Sequence, residues 1–263
     1  VITGSGSANT LNGESSLLFD GSMLTVNGIS VGKGANSVAT NTVLGLNALD
    51  AAVTGENNVA IGNVAMTDAT SAGDSTAVGA GALNAVTTGS QNTAIGKSAL
   101  LLNTTGASNT ALGKDALRAN TTSSNNTAVG HDALTANTTG TGNVAVGAEA
   151  FRDNTTGSFS TALGSLSLFE ATTGSGNTAL GRRALQENTT ASNNTGAGIE
   201  ALRYNTTGTQ NTSVGATALK QNTTANNNTA VGYAALGLNT TGTRNSALGA
   251  SALRDNVTGN DNT

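Results

Sequence analysis

The 263-residue chain contains no proline, cysteine or tryptophan, and only 2% of its residues are aromatic. The absence of cysteine excludes disulfides and thiolate metal sites. No apolar run reaches the roughly 18 residues that a membrane-spanning helix requires, so we expect no membrane insertion in this segment. The net charge of −4 is opposite to the basic stripe of nucleic-acid-binding proteins, so we expect no nucleic-acid partner.

Glycine, by contrast, recurs with a fixed period. Thirteen glycines follow one another at 17-residue intervals with no insertion, from Gly45 to Gly249. Such a register predicts stacked, nearly identical coils rather than a globular core. We therefore expect two regions, an N-terminal β connector or cap at 1–40 and a β-solenoid at 41–263. The solenoid has thirteen repeats plus the start of a fourteenth, and we expect the natural protein to continue at both ends.

Each repeat, numbered from Asn41, follows the consensus N-T-A-V-G-x-x-A-L-x-x-N-T-T-G-x-x. T-A-V-G predicts one short strand, A-L the start of a second, and N-T-T-G a turn. Two short strands and two turns describe one coil of an all-β parallel β-solenoid. Aligned asparagines at positions 1 and 12 predict amide ladders between coils. Positions 4 and 9 predict apolar core ladders that include Val129, Leu134, Val146, Leu180, Leu185, Val231 and Leu236.

The charged residues obey the same register. Residues 41–263 contain 23 charged side chains, and all of them fall at positions 6, 7, 10, 11, 16 and 17. Because an unpaired buried charge costs several kcal/mol, these six positions must form solvated corners and edges.

The apolar pattern also predicts an oligomer. Positions 3 and 4 are both apolar, as are 8 and 9, although neighbouring strand residues point to opposite faces. A lone coil buries only one face, which leaves an apolar stripe of roughly 600 Å². A second copy of the chain is the simplest cover, and cyclic symmetry lets every coil use the same contact. The alternation leaves open whether two or three copies associate.

Residues 1–40 lack the repeat. Leu17-Leu18-Phe19, the turn residues Asp20-Gly21 and the segment 23–26 are followed by Asn27-Gly28, which predicts a small β-hairpin.

Candidate functional residues are few. Arg182 and Arg183 can contact an anionic glycan or phosphate, and Tyr204 and Tyr233 are corner aromatics suited to sugar or protein contacts. The single histidine, His131, also lies at a corner position. No catalytic, metal-binding or cofactor-binding constellation interrupts the register, so we expect no cofactor and no enzymatic activity.

The core motif, quoted as Asn126-Thr127-Ala128-Val129-Gly130 with Ala133-Leu134, resembles the S-V-A-I-G-x-x-A repeat of trimeric autotransporter adhesin heads. With its N-T-T-G turn, the unit is also similar to repeats of trimeric phage tail fibres, and Ser16–Gly28 resembles the connector upstream of them. The resemblance implies a left-handed, homotrimeric β-roll. It also implies an extracellular location, on a virion tail or a bacterial cell surface.

The leading hypothesis is therefore a structural attachment fibre that spaces and presents parts binding a host-cell glycan or protein. The alternative is an ice-binding β-solenoid, because threonine recurs at positions 13 and 14, as in Thr104-Thr105. These threonines lie at a predicted turn, whereas an ice-binding face must be flat and unbroken.

Overall fold

The computed structural model describes residues 17–19, 23–26, 29–34 and 38–263. In these ranges the chain forms strands and turns and no helix. The strands are β1 Leu17–Phe19, β2 Met23–Val26, β3 Ile29–Gly32, β4 Thr42–Gly45, β5 Val59–Ile61, β6 Thr76–Val78, β7 Thr93–Ile95, β8 Thr110–Leu112, β9 Thr127–Val129, β10 Val144–Val146, β11 Thr161–Leu163, β12 Thr178–Leu180, β13 Thr195–Ala197, β14 Thr212–Val214, β15 Thr229–Val231 and β16 Ser246–Leu248.

All sixteen strands form one sheet in chain order. Strands β4 to β16 are parallel, and each pairs with the next at an offset of 17 residues, as Ala128 does with Ala145. The predicted all-β parallel solenoid with 17-residue coils is confirmed. The antiparallel pairing of β1 with β2 agrees with the predicted hairpin, whose turn residues 20–21 and 27–28 lie outside the described ranges. A third strand, β3, joins this hairpin to β4 in antiparallel register.

The core lies inside the coils and consists of alanine and leucine ladders. The alanines at positions 3 and 8 and the large side chains at position 9 are almost all inaccessible to solvent. Leu134, Leu185 and Leu236, which were predicted for the core, are 0% exposed. Small residues on one wall and leucines opposite allow the two sides of a thin coil to meet without a cavity.

Position 4 is not part of this core, and the prediction for four of its residues is wrong. Val129, Val146 and Val231 are only partly buried, and Leu180 is 38% exposed. In each strand the middle residue at position 3 points inward, so the residues at positions 2 and 4 must point outward. The apolar ladder at position 4 therefore lines the outside of the solenoid.

The predicted second strand is also absent from every coil between residues 41 and 263. Positions 6 to 11 form a turn in which positions 7 and 9 adopt the left-handed conformation, as in Asp132 at φ 55° and Leu134 at φ 50°. Because this conformation breaks the alternation of a strand, the side chains at positions 8 and 9 both project into the core. A left-handed leucine costs about 1–2 kcal/mol, which burial of its side chain offsets.

Both predicted asparagine ladders are present. At position 1, the backbone N–H of Asn126 donates to Asn109 Oδ1 at 3.0 Å, and Asn126 Nδ2 donates to Gly140 O at 2.9 Å. At position 12, Asn137 Nδ2 donates to Asn120 Oδ1 at 3.0 Å and to Gly140 O at 3.0 Å. These bonds join successive coils and satisfy amides that solvent cannot reach.

The position 12 ladder has one interior break. Ala171 stands where Asn would donate to Asn154, and the buried Asn154 Oδ1 has no hydrogen-bond partner. We expect Ala171→Asn to stabilise the chain by about 1–2 kcal/mol, because its amide would link Asn154 to Asn188 through two new buried bonds. Denaturant unfolding of the variant measures this gain.

The matched control for this substitution is Asn222→Ala, which opens a second break. Asn222 accepts from Asn239 Nδ2 at 3.1 Å and donates to Asn205 Oδ1 at 2.8 Å. Its removal should lower the free energy of unfolding by about 1–3 kcal/mol. A variant Ala171→Asn no more stable than the parent would show that the break is already compensated.

Candidate functional site

The most extensive candidate site is the outer side of the sheet. We call it the sheet face and define it as the side chains at positions 2 and 4 of strands β4 to β16, such as Thr127 and Val129. Position 2 is threonine in most coils, and position 4 is valine, leucine or isoleucine in all coils but one, which has Ala197. Parallel, in-register pairing aligns each type in a row, with successive residues about 4.8 Å apart.

The sheet face carries no charge along its whole length. None of the 23 charged residues of segment 41–263 lies at positions 2 to 5. Its apolar row is well exposed, with Ile95 41%, Leu163 46% and Val214 40% accessible. The row extends into β3, since Val31 of β3 pairs with Leu44 of β4 and both are at least 40% exposed.

The area of this face decides how unusual it is. Thirteen strands at about 4.8 Å give a length of roughly 60 Å, and the two rows cover a width of roughly 10 Å. The resulting area, roughly 600 Å², lies at the upper end of what a monomer exposes and approaches one side of a standard protein interface.

The four corner residues predicted as surface contacts do not share one site. Arg183 and Tyr204 join what we call the Glu200 cluster, which also contains Arg203 and Lys220. The Glu200 carboxylate lies 2.8 Å from Lys220 Nζ, 3.0 Å from Arg203 and 3.8 Å from Arg183. The Arg203 guanidinium lies 4.7 Å from the centre of the Tyr204 ring. Three cations therefore surround this one carboxylate.

Arg182 and Tyr233 lie outside the cluster. Arg182 is exposed, with no ion pair among the described residues. Tyr233 is 64% exposed and lines a groove of about 360 Å³ beside Gly237. We call this depression, with Lys220, Tyr233, Gly237 and Arg254 in its walls, the Gly237 groove. The structure therefore brings Arg183 and Tyr204 together but does not unite all four predicted residues.

Two glutamates, Glu200 in the cluster and Glu187 outside it, make stability depend on pH. The hydrogen bond from Lys220, followed by the Lys220 and Arg203 charges, lowers the pKa of Glu200 below its ordinary value of 4.5. Burial, followed by the Glu170 charge, raises the pKa of Glu187. A carboxyl group whose pKa is lowered by folding stabilises the folded state at any pH above its ordinary pKa. This stabilisation is lost as the pH falls through the lowered pKa. A carboxyl group whose pKa is raised by folding instead destabilises the folded state at a pH above the raised pKa.

We therefore expect opposite effects from Glu200→Gln and Glu187→Gln. At pH 7 the first should lower the denaturant midpoint and the second should raise it, because one ionised carboxylate is stabilised by the fold and the other is penalised. Both differences should shrink as the pH falls toward 3. Equal shifts of one sign at pH 7 would contradict this assignment.

Other chemistry is sparse in the described part of the chain. His131 Nδ1 lies 3.3 Å from Asp132 Oδ2 at an exposed corner. Among the described residues there is no group of three or more side chains arranged to hold a metal ion. No helix in these ranges has the length and apolar character needed to cross a bilayer.

Sequence reasoning missed Glu200, Arg203, Lys220 and Gly237. The signal that existed was the register, because positions 7 and 10 of successive coils must adjoin. It does not specify which neighbouring charges pair. Gly237, at position 10 where every other coil carries a longer side chain, and Ala234, between Thr217 and Ser251 at position 7, were the signs of the groove in the sequence.

No protein-family model, curated protein or solved structure matches this chain.

Proposed function

We propose that this chain is the repeat segment of a structural attachment fibre, a homotrimer in which the sheet faces of three chains cover one another. The observation that carries the proposal is the uncharged sheet face, whose apolar row runs from β4 to β16 while all charges lie elsewhere. The fibre would act mechanically. Stacked coils give a stiff spacer, and three chains give avidity to a receptor-binding part.

Three features support this role. The exposed row of position 4 presents the same kind of side chain at every coil height, so three chains around an axis along the rod would repeat one contact in every coil. The hydrogen-bonded asparagine ladders lie in the interior and join successive coils, so they resist bending and separation of the coils along the rod. The corners bear the charged side chains and both tyrosines, so these groups stay free for solvent or receptor when the sheet faces are covered. An extracellular position on a virion tail or bacterial surface would suit such a rod.

The mass of the chain in solution tests the proposal. We expect light scattering after size exclusion to give three times the 25.6 kDa chain mass. A folded monomer at micromolar concentration would overturn the trimeric fibre, since the sheet face would then be open to solvent.

Ice binding is the second candidate, and one observation favours it. The position 2 threonines alternate with apolar residues on an even parallel sheet, and their hydroxyls have no protein partner among the described residues. The threonines at positions 13 and 14 do not together present free hydroxyls on one ice-binding face. Thr104 Oγ1 donates to Thr121 O at 3.1 Å, so the position 13 hydroxyl is used inside the solenoid. Thermal hysteresis from a monomeric sample would support this alternative, and its absence would remove it.

A further inference from the structure

We infer that the Gly237 groove binds the carboxylate and ring of an acidic saccharide. The groove holds about 360 Å³ and is lined by Lys220, Tyr233 and Arg254 with no acidic residue in its walls. This inference names a ligand class for the attachment role proposed above, and rests on that role only for the biological source of the sugar.

The groove exists because one coil carries small residues at two corner positions. Position 10 carries an arginine, lysine, threonine or another longer side chain in the other coils, whereas this coil has Gly237. Ala234 stands at position 7, where neighbouring coils have Thr217 and Ser251. The depression thus interrupts an otherwise filled corner without disturbing the backbone, since Gly237 N still donates to Ala234 O at 3.1 Å.

Two cations flank this depression. Lys220 and Arg254 occupy position 10 in the coils on either side of Gly237, so their attachment points are two coil heights, about 10 Å, apart. Lys220 Nζ lies 2.8 Å from the Glu200 carboxylate, which also forms an ion pair with Arg203. Arg254 is exposed and forms no ion pair in the described part of the chain. Its guanidinium is free to bind a carboxylate through two parallel hydrogen bonds.

The aromatic wall selects a sugar over a simple anion. Tyr233 is 64% exposed, and its coil neighbours at position 6 are Ala216 and Ala250, which leave the ring accessible. An aromatic face packs against the C–H face of a pyranose, while the phenol hydroxyl and Ser251 offer hydrogen bonds. A uronic-acid residue combines the carboxylate and the ring that these groups recognise.

Calorimetric titration of the full chain with oligoalginate, a uronic-acid polymer, tests the inference. We expect saturable binding that weakens about tenfold in Arg254→Ala and in Gly237→Gln, which fills the groove with the residue found at Gln186. Arg118→Ala removes a position 10 arginine from a distant coil and should leave the affinity unchanged. Neutral dextran should not bind, and Tyr233→Ala should weaken alginate binding.

Several results would overturn the inference. The inference fails if oligoalginate does not bind, or if dextran binds as tightly as oligoalginate. It also fails if Gly237→Gln leaves the affinity for oligoalginate unchanged, or if polyphosphate binds as tightly as oligoalginate. The last would mean that charge alone is recognised. The outcome is separable from that of the fibre proposal. A trimer without alginate binding refutes only the groove, whereas a monomer that binds alginate refutes only the fibre.

Discussion

Gly147→Ala should destabilise the solenoid strongly, by about 3 kcal/mol or more. Gly147 has φ 136°, a conformation that side chains rarely adopt. A Cβ built there would lie 2.7 Å from the Gly164 carbonyl carbon and 2.8 Å from its oxygen. The obstacle is backbone of the next coil, so no side-chain rotation can relieve it.

The neighbouring coils cannot move apart to admit the methyl group either. Gly147 N donates to Val129 O at 2.8 Å, and Gly164 N donates to Val146 O at 2.8 Å. Separation would break these bonds along with the strand ladder on both sides. Because each repeat is stabilised mainly by its neighbours, the clash should divide the rod into two weaker segments. Denaturant unfolding monitored by circular dichroism should show an earlier or a split transition.

Gly249→Ala is the matched control for this prediction. Gly249 has a similar φ of 122°, but nothing lies within 4 Å of its added Cβ. It should therefore show only the backbone strain, about 1–3 kcal/mol. If the two variants unfold at the same denaturant concentration, the close approach of successive coils is not what requires glycine at this position.

The fold was predictable from the sequence to the level of the coil. The glycine register and the leucines around Leu134 fixed the repeat length and one core ladder, and the asparagines predicted the amide ladders. The conformation of positions 7 to 9 was not predictable, because leucine itself disfavours φ 50°, and stacking on neighbouring coils overrides that preference. That override decided that positions 8 and 9 both point inward, whereas position 4 points outward because the strand alternates around the inward position 3.

For the candidate sites, the sequence predicted the position of each residue in the coil but not the contacts of its side chain. The register placed Arg183 and Tyr204 at corners, but their association with Glu200 depends on which rotamers of adjacent coils meet. The sheet face illustrates the same limit, since composition indicated a surplus of apolar positions without saying which of them are outside. The structure supplies that assignment, and the assignment changes which substitutions test the oligomer.

Three aspartates on the sheet face should convert the proposed trimer into monomers. Val129, Leu180 and Val231 occupy position 4 at intervals of three coils, so Val129→Asp, Leu180→Asp and Val231→Asp distribute the charges along the rod. In a trimer each carboxylate would be buried without a partner, at a cost of several kcal/mol. In the single chain all three positions are partly exposed. The solution mass should fall from three chains to one chain of 25.6 kDa.

The control adds the same charge at corners. Ala148→Asp, Ser165→Asp and Ala216→Asp lie at position 6, where Lys97 and Arg182 already stand, and should leave the mass at three chains. Aspartate disfavours strands by up to about 1 kcal/mol, so circular dichroism must show that the sheet-face variant keeps its β signal. A folded sheet-face variant that remains trimeric would place the subunit contacts on another side of the coil. Dissociation of both variants would mean that added negative charge, not its position, separates the chains.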